Sequence, residues 1–313
     1  MLVLAGSSHP ELAQQIAECL GVQLGKLSLG RFPDGEVSLR ILESVRGQDI
    51  FVVQTIALDP DRYLMELLVI IDALKRASAR SINAVIPYFG YCRQDRKNKP
   101  REPITAKLVA DLLTSAGATH IVTMDLHAGQ LEGFFNIPVD HIHGMPVLVN
   151  SLKELGLGEN CVVVAPDVGS VKQARSYASA LNADFAVVAK RRLSVTEVES
   201  STLIGEVKGK VVLLADDMCS TGGTLVSAAK ACQEKGASRI FAAVTHGLLL
   251  EGALSSIEES PIEALYMSNT IPYTDRLATS AKLKIQSVAP SFAHAIRCIT
   301  SQEPLFLENT NNI

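Results

Sequence analysis

Asp216 and Asp217 close an apolar run, Val211–Ala215, and the turn Ser220-Thr221-Gly222-Gly223-Thr224 follows two residues later. Beyond it the chain is alanine-rich and helix-forming as far as Cys232. Strand, turn and helix in that order suit an anion. Glycines permit tight turning and close backbone approach, while helix N–H groups and the positive end of the dipole face the charge. Thr221 and Thr224 add hydroxyl donors. The two carboxylates would repel a phosphate placed on them, so they suit ribose hydroxyls or a metal-bound group. The chemistry indicated is a sugar phosphate, with its diol on Asp216 and Asp217 and its phosphate in the turn. An ordinary βα turn, with Gly and Thr at the helix start, is the alternative.

Other clusters could serve a nucleotide. Phe32-Pro33-Asp34-Gly35-Glu36 sets an aromatic ring beside two carboxylates on a constrained turn, able to stack a base and accept from an amine. The same residues are also good turn punctuation. Arg93-Gln94-Asp95-Arg96-Lys97 follows the apolar Ala84–Pro87, and basic groups at a strand's carboxyl end suit a polyphosphate. A solvated charged loop is the plainer reading there. Asp125-Leu126-His127 ends another apolar run, and Pro166-Asp167-Val168-Gly169 adds a carboxylate. Mixed His and Asp ligands could share Mg²⁺ with nucleotide oxygens, since that ion keeps few protein ligands.

Positioning these groups requires alternating β and α elements. Short β-branched runs mark strands at Leu2–Ala5, Ile50–Gln54, Ile82–Pro87, Ile121–Met124, Cys161–Ala165, Phe185–Ala189, Val211–Ala215, Ile240–Val244, Ala264–Met267 and Leu283–Ser287. They lack polar alternation, as strands buried on both faces do. Helical patterns such as Tyr63–Ser78 and Ile104–Ser115 lie between them, which makes an α/β protein with mostly parallel sheets. Gly117 precedes His127 by ten residues and Gly236 precedes His246 by ten, each after a helix and across a strand. This echo points to two similar halves related by duplication, with a boundary near His143–Val147.

At 313 residues, 47% hydrophobic and 20% charged, the chain suits two globular domains. A net charge of −4 argues against a nucleic-acid binder that relies on a basic surface. No apolar stretch approaches the roughly 20 residues that span a bilayer, and the start has no basic region ahead of its apolar run, which argues against a signal peptide. Six scattered cysteines without a CxxC pair read as reduced thiols of a cytoplasmic protein. No Walker A pattern is present.

The Asp216–Thr224 stretch resembles the ribose-phosphate loop of phosphoribosyltransferases and their relatives. With FPDGE (Phe32–Glu36), YCRQDRK (Tyr91–Lys97), MDLHAGQLEGFF (Met124–Phe135), IPVDH (Ile137–His141), PDVG (Pro166–Gly169), AKRR (Ala189–Arg192), THG (Thr245–Gly247) and NTIP (Asn269–Pro272), the chain resembles the ribose-phosphate pyrophosphokinase family along nearly its whole length. The resemblance implies two phosphoribosyltransferase-like domains, residues 1–144 and 145–299, with 300–313 returning to the first. It implies an active site between them at the strands' carboxyl ends. It implies that ATP and ribose 5-phosphate give 5-phosphoribosyl 1-pyrophosphate and AMP, with Mg²⁺.

Carried onto matching residues, Phe32 flanks the adenine, with Asp34, Gly35 and Glu36 beside it, reaching into a neighbouring subunit. Arg93 and Gln94 contact ATP, and His127 and Asp167 hold the metal. Lys190 and Arg192 close over the phosphates from a mobile stretch. Asp216, Asp217 and the turn Ser220, Thr221, Gly222, Gly223 and Thr224 hold ribose 5-phosphate. The implied assembly is a homohexamer, with dimer or tetramer as alternatives, and neither membrane nor nucleic acid is a partner.

Three departures stand out. Ser220 occupies a position where the family's commonest loop has an acid. Val168-Gly169-Ser170 replaces a double glycine, and Asn136 stands where aspartate is common. Ser301–Phe306 also differs from the serine-rich end linked in many members to allosteric phosphate or ADP, so regulation is not carried over. A phosphoribosyltransferase would share the Ser220 turn but has no use for FPDGE, RQDRK and KRR together. A catalytically silent regulatory homologue would be expected to lose Lys190, Arg192 or His127, and all three are present.

Overall fold

The computed structural model describes residues 1–155, 160–191, 200–273 and 279–305, with backbone alone at 190, 191, 200 and 201. The chain divides into two compact units. The first comprises Met1–His143, Thr270–Pro272 and the segment beginning at Val288; the second comprises Gly144–Asn269 and Tyr273–Ser287. No helix among the described residues is long and apolar enough to cross a membrane.

The first unit is built on five parallel strands in the order β1 (Leu2–Ala5), β4 (Asp49–Val53), β5 (Ser81–Ile86), β6 (His120–Met124) and β7 (Val139–Ile142). Its crossovers are α1 (Pro10–Leu20), α2 (Pro60–Arg76) and α3 (Thr105–Ala116). Proline opens α1 and α2, where its missing N–H costs nothing. The antiparallel hairpin β2 (Leu27–Arg31) and β3 (Val37–Ile41) forms a separate two-stranded sheet, with β3 packed against α2.

The second unit has a seven-stranded sheet. Its strands are β8 (Cys161–Ala165), β9 (Asp184–Arg191), β10 (Ser200–Ile204), β11 (Val211–Cys219), β12 (Arg239–Gly247), β13 (Ala264–Ser268) and β14 (Leu283–Gln286). In space the order is β10-β9-β8-β11-β12-β13-β14, parallel except for β10 at one edge. Helices α4 (Met145–Glu154) and α5 (Val171–Leu181) flank one apolar cluster, and α6 (Gly223–Glu234) and α7 (Ala253–Glu258) the other. Side chains of β8 and β11 enter both clusters alternately, which is why these strands read as unbroken apolar runs.

The α/β class and mostly parallel sheets are as the sequence indicates. The repeated Gly-to-His stretch is a helix–strand step in both units. α3 ends at Gly117 (φ 123°) before β6, and α6 is followed by Gly236 (φ 84°) before β12. β5–α3–β6 and β11–α6–β12 are each a parallel pair of neighbouring strands joined by one helix.

Two features differ from expectation. Helix α8 (Ala289–Ser301) belongs with the first unit, although the sequence assigns residues up to 299 to the second domain. Its buried face, including Phe292, Ala293 and Ile296, packs on α1 and β7, so apolar contact rather than chain order decides its membership. Strand β11 also runs on through Asp216-Asp217 to Cys219, because Asp216, Met218 and Cys219 pair with Val244, His246 and Gly247 of an equally extended β12.

Candidate active site

In the second unit the two carboxylates therefore ride on a hydrogen-bonded strand rather than on a loop. Asp217 N–H donates to Asp216 Oδ1 at 2.9 Å. Burial, then the charges of Asp217 and Asp167, push the Asp216 carboxyl up to about 8. Asp167 sits in the turn after β8, the parallel neighbour of β11. Ser170 fixes that turn, its N–H donating to Asp167 Oδ1 at 3.2 Å and its hydroxyl to Asp167 O at 3.0 Å. Thus Asp167, distant in sequence, joins Asp216 and Asp217 in one acidic zone.

Directly after β11, the carbonyls of Cys219 and Ser220 accept the N–H groups of Leu249 and Leu250 at 3.1 and 2.9 Å, latching the turn to the loop after β12. Gly222 adopts a left-handed conformation (φ 78°) as the cap of α6, and no side chain caps the helix. A helix lacks internal partners for its first N–H groups, and Thr221 and Gly223 here are exposed. The turn thus has the form of an anion cradle beside acids suited to hydroxyls. A Cβ on Gly247 would lie 2.4 Å from Met267 Sδ, so the methionine side chain would have to shift to admit it.

In the first unit, Phe32–Glu36 is the tip of the β2–β3 hairpin. Phe32 N–H donates to Glu36 O and Gly35 N–H to Phe32 O, both at 2.9 Å; Glu36 N–H donates to Asp34 Oδ1 at 3.1 Å. Arg31 adds a bond to Gly35 O. Phe32 is 53% exposed, which leaves its ring open to stacking. After β5, Gln94 is tied to the start of α3: its Oε1 accepts from Thr105 Oγ1 at 2.5 Å and its O from Ala106 N–H at 3.2 Å. Arg93 beside it is exposed. Asp95 is instead buried, accepting from Gln130 Nε2 at 3.1 Å.

His127 is exposed just beyond β6. Close by, Asp125, His141 and His143 place ligand-type atoms within 4.8 Å of one another, a grouping that the sequence reading does not assign to the site and that excludes His127. The signal in the sequence is His141-Ile142-His143, which begins in β7 and runs one residue past its end. His143 Nδ1 lies 3.0 Å from Asp125 Oδ1, and both nitrogens of His141 are already engaged, as described below. Arg192 and the Lys190 side chain lie outside the described residues; the Lys190 backbone pairs with Ser201.

Residues 1–117 match the model of the N-terminal domain of ribose phosphate pyrophosphokinase, and residues 191–307 match the phosphoribosyl synthetase-associated domain. The chain is 52% identical to the ribose-phosphate pyrophosphokinase of Caldanaerobacter subterraneus subsp. tengcongensis over 294 residues, covering 94% of this chain and 93% of the relative. It is 52% identical to that of Clostridium perfringens over 305 residues, covering 97% and 95%. The crystal structure of phosphoribosylpyrophosphate synthetase from Mycobacterium smegmatis aligns with a TM-score of 0.92 at 41% identity, covering 96% of this chain and 99% of that one. Matched at this identity over nearly its whole length, the chain belongs to the ribose-phosphate pyrophosphokinase family.

Proposed function

We propose that the chain transfers the β,γ-diphosphoryl group of ATP to the anomeric hydroxyl of ribose 5-phosphate, giving 5-phosphoribosyl 1-pyrophosphate and AMP. The observation that carries the assignment of roles is the acidic zone of Asp167, Asp216 and Asp217 beside the uncapped turn of α6. The sugar's hydroxyls bind Asp216 and Asp217, and its 5-phosphate sits on Ser220, Thr221, Gly222, Gly223 and Thr224. ATP is held by Phe32, Asp34, Gly35 and Glu36 at its base and by Arg93 and Gln94 along its phosphates. Lys190 and Arg192 neutralise charge on the transferred group. Phosphoryl chemistry of this kind needs in-line positioning and charge neutralisation more than a protein nucleophile.

The donor set fits Mg²⁺. Asp167 and His127 would hold it, and Asp216, raised first by burial and then by the charges of Asp217 and Asp167, is a carboxyl whose ionisation a divalent cation would favour. When bound, the ion supplies charge neutralisation on the phosphate oxygens. We assign the protein to the cytoplasm, in keeping with its free cysteines. We also assign self-association as a homohexamer; light scattering that finds only monomer at working concentration would contradict this.

Incubation with ATP, ribose 5-phosphate and Mg²⁺ should release AMP in step with the sugar pyrophosphate. ADP would indicate a simple kinase, and absence of turnover a silent regulatory homologue. Ser220 provides a finer test. It offers one donor and one acceptor without adding a third negative charge. Ser220→Ala should cost about 0.5–1.5 kcal/mol if one neutral hydrogen bond is lost, a rise of roughly two- to twelve-fold in the KM for ribose 5-phosphate. Tighter binding in Ser220→Asp would sink the charge-repulsion account.

A further inference from the structure

We propose that His141 is a positioning residue that sets the loop bearing His127, and through it the enzyme's demand for divalent cation; the inference rests on the reading of His127 as a cation ligand. His141 stands on β7, paired in register with Thr123 of β6. Its Nε2 lies 2.9 Å from the backbone nitrogen of Leu126. An amide can only donate, so Nε2 carries no proton and the ring proton is on Nδ1. Nδ1–H then donates to Glu132 Oε1 at 2.5 Å. Glu132 belongs to the 3-10 turn Gly129–Phe134. One imidazole therefore ties together both ends of residues 126–132, and His127 lies inside that span.

The rest of the loop leaves this clamp a specific task. Asp125 has left-handed backbone (φ 36°), its N–H donates to Ile142 O at 3.1 Å, and its carboxylate meets His143 at 3.0 Å. Leu126 is buried while His127 projects into solvent. His141 accepts from the N–H of the Asp125–Leu126 peptide, and Leu126 directly precedes His127, so the path of the chain into His127 depends on that bond. With Nε2 committed to Leu126 and Nδ1 to Glu132, His141 acts as a strut and is not itself a ligand. Groups that orient a metal ligand through hydrogen bonds change metal affinity by about 10- to 100-fold when removed.

Glutamine can place an acceptor near the position of Nε2 and asparagine only near that of Nδ1, which separates the two halves of the clamp. The measurements are Mn²⁺ binding followed by electron paramagnetic resonance, the free Mg²⁺ needed for half-maximal turnover, and the Tm of each variant. His141→Leu and His141→Asn should weaken Mn²⁺ binding and raise the Mg²⁺ requirement by about tenfold or more, with kcat at saturating cation within about threefold of the parent. His141→Gln should restore both to within about threefold. Should His141→Leu fail to fold, His141→Asn carries the same expectation. A folded His141→Asn with the parent's cation requirement overturns the proposal, as does a His141→Gln no better than His141→Asn. His127→Ala run alongside separates the two readings. A shift there with none at His141 overturns this proposal alone, whereas no shift there overturns the role of His127 and the proposal with it.

Discussion

Lys190→Ala should lower kcat by about 10²- to 10⁴-fold, the loss seen for other preorganised electrostatic groups, while ATP affinity changes far less. Lys190 and Arg191 close β9, Arg192 is next in sequence, and the backbone of Lys190 is paired with Ser201 of β10. Only an interaction that strengthens in the transition state raises kcat, so binding alone is a poor reporter. The discriminating comparison is kcat against the affinity for ATP measured calorimetrically without ribose 5-phosphate. Near-normal turnover in the variant would remove Lys190 from the mechanism.

Asp216→Asn should stabilise the ligand-free protein and weaken its hold on ribose 5-phosphate. Burial, then the charges of Asp217 and Asp167, hold the folded carboxyl up at about 8, well above the ordinary carboxylate range. The folded state thus binds the Asp216 proton more tightly than the unfolded chain does. Its contribution to stability is fully present below about 4 and is lost as pH rises towards about 8. Asparagine has no proton to lose. The Tm of Asp216→Asn minus that of the parent should therefore grow from pH 4 to 8 and level off above it. With about 1.4 kcal/mol per unit of pKa difference and about 2–4 °C per kcal/mol for a domain of this size, the plateau should amount to about ten degrees or more. The scan is run with chelator and without substrates. A difference that stays flat from pH 5 to 9 would show Asp216 to be ionised at no cost, and with it the acidic zone would lose its significance. Functional sites commonly carry such a stability penalty.

The sequence displayed the parallel sheets because their strands are buried on both faces, as in Cys161–Ala165 and Leu213–Ala215, and burial leaves an unbroken apolar trace. It hid the ends of β11 and β12, where Asp216-Asp217 and Thr245-His246 continue as strand through mutual pairing rather than hydropathy. It hid β2, β3 and β7 for a related reason: Leu27–Arg31, Val37–Ile41 and Val139–Ile142 are only partly buried and mix polar with apolar residues. The turn Pro33-Asp34-Gly35 was legible as a turn, since Gly35 takes a φ of 93° that favours glycine. Grouping of Asp167 with Asp216 needed the β8–β11 pairing, and the bonds of His141 needed Leu126 and Glu132 brought to its two nitrogens. Local pattern records what each residue buries; it does not record its partners.

The separate β2–β3 hairpin has a bearing on how the chain withstands damage. Its backbone pairs only within itself, so no strand of the five-stranded parallel sheet depends on it for a neighbour. Two-stranded ribbons are marginal alone, and this one leans on α2. Its tip presents Arg31 to solvent, as trypsin-like proteases require. A cut there would sever Phe32–Glu36, the turn proposed to hold adenine, from its strand while leaving every ladder of the parallel sheet closed, so a nicked molecule should keep its bulk and, on that proposal, lose its nucleotide.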